Sequence, residues 1–285
     1  MWVNWLRNGV LDAIDDGFIH ITDGTITPVI TRPGDIIIAE RCGIGGLAIE
    51  AAFRRNISVF ITGAGGTTLY YWFPAERPWE RMARQAVAGS TPRVIDEVAR
   101  WMLRQRFGRT LHPAHGVNVV RGYEGAEVRK IYKALAADYG VEWDGRHITG
   151  KWDSLSPINK TISLCNAALY GLTEIAILHA GYSPFFGFLH GRSGKALVYD
   201  IADMVKFDCI TPLAFRTVAD GKPHPEWRAR AACIRLFRRT TLLRELISQT
   251  EQTMEVAIES LTRKPSHRCR ESVSGDMAKN RRDKS

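Results

Sequence analysis

The pattern of the chain changes once, near Pro78, and that change limits the folds open to it. Between residues 18 and 72, short β-branched and aromatic runs alternate with tight-turn residues. Phe18-Ile19-His20-Ile21 leads into Asp23-Gly24 and then Ile26-Thr27-Pro28-Val29-Ile30, a hairpin signal. Arg32-Pro33-Gly34-Asp35 turns into Ile36-Ile37-Ile38-Ala39, and a short helix over 47–55 separates that run from Ser58-Val59-Phe60-Ile61. Gly63-Ala64-Gly65-Gly66 then turns into Thr68-Leu69-Tyr70-Tyr71-Trp72. From Pro78 onward the signal is helical. Helices are expected over 78–87, on to about 106 after the interruption at Gly89-Ser90-Thr91-Pro92, and over 124–139, 157–180, 200–215 and 225–261. The expected fold class is α+β: a small β-rich N-terminal domain (1–77), a larger all-α domain (78–261) and a basic tail (262–285) expected to be disordered.

Charge narrows the partners. Of the formal charge of +9, residues 262–285 hold eight Lys/Arg against three Asp/Glu, a net +5 that leaves +4 for the first 261 residues. A mild basic excess suits a groove for a polyanion, and nucleic acid is the commonest one. No run of about 20 apolar residues appears; the longest, 175–189, is broken by Gly181 and Pro184. No secretory pattern opens the chain, so a cytoplasmic protein without a membrane partner is expected. The five cysteines are odd in number with no C-x-x-C pair, which suggests neither a zinc cluster nor a disulfide framework.

Four segments bear on chemistry. Gly43-Ile44-Gly45-Gly46-Leu47-Ala48 resembles a dinucleotide-binding turn, but the next strand region, 58–66, lacks the acidic residue that would hold a ribose, so a plain strand-to-helix turn is the better reading. His190 sits between an aromatic run and a Gly-rich loop carrying Arg192 and Lys195; it reads as a half-buried turn residue or as a metal ligand beside two phosphate-directed cations. Asp200 could cap a helix with Asp203 at its third position, which needs no function. Yet apolar residues flank both, and two carboxylates one turn apart in a core repel unless a cation or hydrogen bonds compensate. Glu124, in Arg121-Gly122-Tyr123-Glu124-Gly125-Ala126-Glu127-Val128-Arg129, would by itself read as a first-turn residue complementing the helix dipole.

Together these segments resemble the CRISPR adaptation integrase family. Glu124 lies in Tyr-Glu-Gly-x-x-Val-Arg, and Phe188-Leu189-His190 follows Gly181-Tyr182-x-Pro184. Tyr199-Asp200-Ile201-Ala202-Asp203-x-x-Lys206-Phe207-Asp208 is the closest match, with Leu169-Tyr170-Gly171-Leu172-Thr173-Glu174 and Gly140-Val141-x-Trp143-x-Gly145-Arg146 in support. These last features are similar to the subtype that accompanies Cascade-type (type I-E-like) interference complexes. The resemblance implies catalytic residues Glu124, His190, Asp203 and Asp200, with Glu124, His190 and Asp203 as metal ligands and Asp200 supporting them. Such a ligand set suits Mg²⁺ or Mn²⁺. It implies an endonuclease and strand-transferase that inserts short DNA fragments (spacers) into a CRISPR array by attack of a 3′-hydroxyl on a phosphodiester. Its partners would be double-stranded DNA (spacer precursor and repeat), a second copy of the chain, joined through the N-terminal domain, and a small ferredoxin-like subunit completing a heterohexamer. DNA contacts are expected from Arg77, Arg81 and Arg84 between the domains, from Arg192, Lys195 and Lys206 near the site, and from Arg230, Arg235 and Arg238 on the last helices. Two alternatives stay open: a free-standing structure-selective endonuclease, and a non-catalytic DNA-binding scaffold.

Overall fold

The computed structural model describes residues 1–15, 17–74, 78–147, 151–191, 193–239 and 241–263. Strands β1 (Val3–Arg7), β2 (Val10–Ile14), β3 (Gly17–Thr22), β4 (Thr25–Val29), β5 (Ile36–Glu40), β6 (Gly43–Ile44), β7 (Ser58–Thr62) and β8 (Leu69–Phe73), with helix α1 (Gly46–Arg54), make up the N-terminal part. They form two four-stranded sheets, ordered β1-β5-β7-β8 and β4-β3-β2-β6. β5 runs parallel to both β1 and β7, while β8 returns antiparallel to β7. The strands and helix expected over 18–72 are present, and Gly43–Ala48 is the strand-to-helix turn. β1 and β2, before that region, were not anticipated. β1 pairs with β5 across a long sequence separation, so a five-residue Val-Asn-Trp-Leu-Arg run carries little local signature.

β5 is buried along its whole length and joins two cores. Successive strand side chains point to opposite faces. Accordingly Ile36 and Ile38, with Phe60 of β7, pack into the large helical core, whereas Ile37 and Val59 pack with Leu11, Ala48 and Ala51 in a small core of their own.

The helical part follows: α2 (Trp79–Ser90), α3 (Pro92–Phe107), α4 (Val117–Tyr139), α5 (Pro157–His179), α6 (Ala196–Val205), α7 (Ile210–Ala219), α8 (Pro225–Arg239) and α9 (Leu242–Thr262). α5 is the axis, packed by α6, α7, α8 and α9. It is long and apolar enough to cross a bilayer, but 72% of its most apolar stretch is buried inside the fold, as a core helix requires. The helix expected over 200–215 is two, α6 and α7, and that over 225–261 is two, α8 and α9. Each half buries its own stripe against different neighbours: α8 lies on α5 and α7, α9 on α2, α3 and α5. The expected tail lies almost wholly outside the described residues.

The two parts are clamped together. Gly171 of α5 lies so close to the loop before β8 that a Cβ there would stand 1.8 Å from the Thr67 carbonyl oxygen. Buried Glu40 at the end of β5 accepts the Gly65 N–H at 2.8 Å and pairs directly with Arg238 of α8. Arg230, about two turns earlier on α8, donates to Thr67 Oγ1 at 2.8 Å.

Candidate functional site

Glu124, His190, Asp200 and Asp203 come from three separate segments and meet at one place. Glu124 sits in the third turn of α4, not its first, because α4 begins seven residues earlier than expected. The Val117 N–H is capped by Asp96 Oδ1 of α3 at 2.7 Å, a long-range cap with no trace in the local sequence. Asp200 and Asp203 lie on α6, which begins at Ala196, so Asp200 is inside its helix and does not cap it.

Asp200, 1% exposed, instead organises the histidine loop. Its Oδ2 accepts the N–H groups of Phe188 (2.6 Å) and Leu189 (3.1 Å), and its Oδ1 accepts that of His190 (2.9 Å). Oδ1 also takes the His190 Nδ1–H at 2.8 Å. That bond selects the tautomer whose Nε2 carries a free lone pair, the form a metal ligand needs. The loop comes this close only because residue 187 is glycine: a Cβ there would stand 2.6 Å from the Ala196 carbonyl carbon and 2.7 Å from Asp200 Oδ2. Arg121 of α4 fastens the same loop by donating its Nε–H to the Leu189 carbonyl at 2.7 Å.

His190 Nε2 lies 4.0 Å from Asp203 Oδ2. Burial works against a charged imidazole, but the Asp200 bond and the nearby carboxylates of Asp200, Asp203 and Glu124 outweigh it and raise its pKa above the ordinary value. Asp203 is 5% exposed, and burial alone would push its carboxyl up. The Lys206 ammonium at 2.7 Å, Arg106 and His190 reverse that and hold it below the usual carboxylate range. Arg106, at the end of α3, contacts two of these acids: its Nη1 pairs directly with Glu124 Oε1 and its Nη2 lies 3.7 Å from Asp203 Oδ2. Among the described residues, no three His, Cys, Asp or Glu side chains stand grouped as a metal site.

The donor chemistry nonetheless fits a hard divalent cation. Two carboxylates converge on a shared positive charge, and an imidazole with an anchored Nδ1 leaves Nε2 available beside one of them. Next to the cluster opens a cleft of about 730 Å³ lined by Arg129, Tyr132, Lys133, Arg146, Tyr170 and Lys206. Burial pushes the Tyr132 phenol up to about 12, so it stays a neutral hydrogen-bonding group there.

The other expected DNA contacts scatter. Lys206 reaches the cluster, but Lys195 pairs with Glu174 of α5 at 2.7 Å. Arg230 and Arg238 bind the N-terminal part, as described above, and Arg81 donates to the Ala180 carbonyl at 2.7 Å. Arg84 is exposed on α2, and Arg235 lines a separate cleft with Arg216 and Arg239. Arg77 and Arg192 lie outside the described residues. Sequence reasoning missed Arg106 and the anchoring role of Arg121. An arginine in the last turn of a helix reads locally as a dipole partner, and only its tertiary contacts mark it otherwise.

Fold and cluster together define an α+β protein with an acid–imidazole site set into its helical domain. A family model described as CRISPR associated protein Cas1 matches residues 80–232. The "CRISPR-associated endonuclease Cas1 3" of Methanospirillum hungatei JF-1 is 35% identical over 256 residues, covering 88% of this chain and 86% of its own length. The "CRISPR-associated endonuclease Cas1" of Escherichia coli K12 is 32% identical over 261 residues, covering 88% of this chain and 83% of its own. A solved structure described as a TtCas1–DNA complex superposes with a TM-score of 0.79 at 28% identity, covering 89% of this chain and 95% of that one. The chain belongs to the Cas1 family of CRISPR-associated endonucleases.

Proposed function

We propose that this protein is the catalytic subunit of a CRISPR spacer-acquisition complex, a divalent-metal-dependent DNA strand-transferase of the subtype found beside Cascade-type (type I-E-like) systems. The observation that carries the reading is the Arg106 guanidinium shared by Glu124 and Asp203, with His190 Nε2 4.0 Å from Asp203 and Asp200 fixing the histidine. Family membership supports the nuclease chemistry, and the relative solved as a DNA complex supports a DNA partner, here read as double-stranded.

Glu124, Asp203 and His190 Nε2 would hold Mg²⁺ or Mn²⁺, which supplies a Lewis acid beside the scissile phosphate. Asp200 holds a proton on His190 Nδ1, so in the neutral imidazole Nε2 is the nitrogen left to bind the metal, which would displace the proton that the raised pKa favours there. Lys206, paired with Asp203 and lining the cleft, places a positive charge where a phosphate would lie. In the reaction a 3′-hydroxyl of the incoming fragment forms a new phosphodiester with the repeat, and the bond to the repeat's own 3′-oxygen breaks and leaves a free 3′-hydroxyl. Water in place of that hydroxyl gives hydrolysis, which is the endonuclease reading from the same site.

The domain assignment belongs to the proposal: 1–77 for dimerisation, 78–261 for catalysis, 262–285 as a basic tail. So do the homodimer, the heterohexamer with a small ferredoxin-like subunit, and a cytoplasmic location. Exposed Tyr70, Tyr71 and Phe53 offer the N-terminal part apolar surface for a partner. The test is Asp203→Ala. An enzyme keeps its fold and DNA binding and loses metal-dependent cleavage and joining, whereas unchanged DNA processing would favour a scaffold.

A further inference from the structure

Arg106 holds an unusual place. Its side chain is 3% exposed, and among the described residues only Nη1 of its three nitrogens has a hydrogen-bond acceptor, Glu124 Oε1. Nε and Nη2 are buried without one, although Nη2 stands 3.7 Å from Asp203. The guanidinium also stacks over the neighbouring Phe107 ring at 4.8 Å. Buried guanidinium nitrogens are normally all partnered. Arg106 is therefore held by attraction to two carboxylates more than by a complete hydrogen-bond set.

Those two carboxylates are the pair that the proposed function assigns to a divalent cation, and the inference rests on that reading. An oxygen that accepts an arginine N–H cannot offer the same lone pair to a metal. A fixed positive charge within 4 Å of a ligand also opposes a second cation strongly in a partly buried site. We infer that Arg106 is a positioning residue that competes with the divalent cation for Glu124 and Asp203 and thereby sets the metal affinity of the site. Lys206 differs in kind, since it contacts Asp203 and not Glu124. Arginine never loses its charge in proteins, so this competition is present at every working pH.

The consequence is a site that binds metal more weakly than its ligand set alone would. Glu124 or Asp203 must exchange an arginine contact for a metal bond. Incoming DNA, whose phosphate offers acceptors to the two unpartnered nitrogens, would ease that exchange.

The test is direct Mn²⁺ binding by the full chain, read as free Mn²⁺ by electron paramagnetic resonance, with thermal melting alongside. Arg106→Gln is expected to bind Mn²⁺ about tenfold or more tightly than the wild type, because a like charge beside two ligands is gone. Its melting temperature without metal falls, and its rise on adding Mn²⁺ exceeds that of the wild type. Arg106→Lys, which keeps the charge, should bind within about threefold of wild type. If both variants fold and bind Mn²⁺ no better than wild type, Arg106 supports the ligands instead of competing, and the inference fails. If Arg106→Gln is unfolded without metal, refolding by Mn²⁺ supports the inference, and no refolding at saturating Mn²⁺ contradicts it. Asp203→Asn separates the two ideas: Mn²⁺ binding equal to wild type in that variant overturns the metal site itself.

Discussion

His190 Nδ1 donates to Asp200 Oδ1 at 2.8 Å, and the same carboxylate accepts the backbone N–H groups of residues 188, 189 and 190. One buried acid thus sets the path of the loop and the tautomer of its histidine. Asp200→Ala leaves three backbone donors and an imidazole without their acceptor. Removing one partner of a buried, charged hydrogen-bonded group costs about 3–5 kcal/mol, and a loss of that size is expected in urea unfolding. Asp200→Asn keeps the shape but weakens the bond to Nδ1. An activity loss of about 10–100-fold with an intact fold is the expected outcome. Full activity in Asp200→Asn would show that the tautomer is set some other way.

Gly187 gives a sharper steric test. Gly187→Ala drives a methyl into the Ala196 carbonyl carbon and the Asp200 carboxylate, at 2.6 and 2.7 Å. We expect about 1–3 kcal/mol of destabilisation and loss of DNA joining. Gly194→Ala, in the same loop, meets nothing within 4 Å and should change stability by less than about 0.5 kcal/mol. Equal effects from the two would contradict the close loop–helix approach.

Away from the site, His179 predicts an acid sensitivity. It donates or accepts at Ser58 Oγ, 3.0 Å away, and burial lowers its pKa from 6.5 to about 4. The unfolded chain therefore takes up this proton first on acidification. The stabilising contribution is complete above pH 6.5 and is lost as pH falls from 6.5 towards 4, by up to about 3 kcal/mol at about 1.4 kcal/mol per unit. Urea midpoints measured from pH 7 to pH 4.5 should fall less steeply in His179→Gln than in wild type. Parallel slopes would mean the group titrates normally.

At the junction of the two parts, Glu40→Gln removes a buried charge that faces Arg238 and Arg7. Leaving Arg238 half-buried without its partner should cost about 3–5 kcal/mol in unfolding. A near-neutral change would free Arg238 for the DNA-contact role expected of it.

Much of this was legible in the sequence, for identifiable reasons. The hairpin signal at Asp23-Gly24 and the Ser156-Pro157 helix start are local, and both elements lie where their residues place them. The Tyr199–Asp208 string marked the acidic helix through its resemblance to a family motif, whereas the residues alone left a capping role open. What stayed hidden depends on contacts between distant segments. The α4 start is capped from α3, and Asp200 serves a loop ten or more residues upstream, so a helix-capping role looked plausible from spacing alone. Arg106 meets Glu124 from another helix, eighteen residues earlier, and nothing in Arg-Phe-Gly announces that meeting.

If Glu124, His190 and Asp203 act as one metal-dependent DNA-joining site, joining must depend on each of them. The direct measurement is strand transfer of a labelled short duplex with free 3′-hydroxyls into a repeat-bearing plasmid, with Mn²⁺ and the small partner subunit, using wild type and His190→Ala. Joined product is expected from the wild type and none from the variant, with both proteins folded and bound to DNA. Cleavage without joining in the wild type would reduce the protein to a nuclease, and undiminished joining by His190→Ala would contradict the site itself.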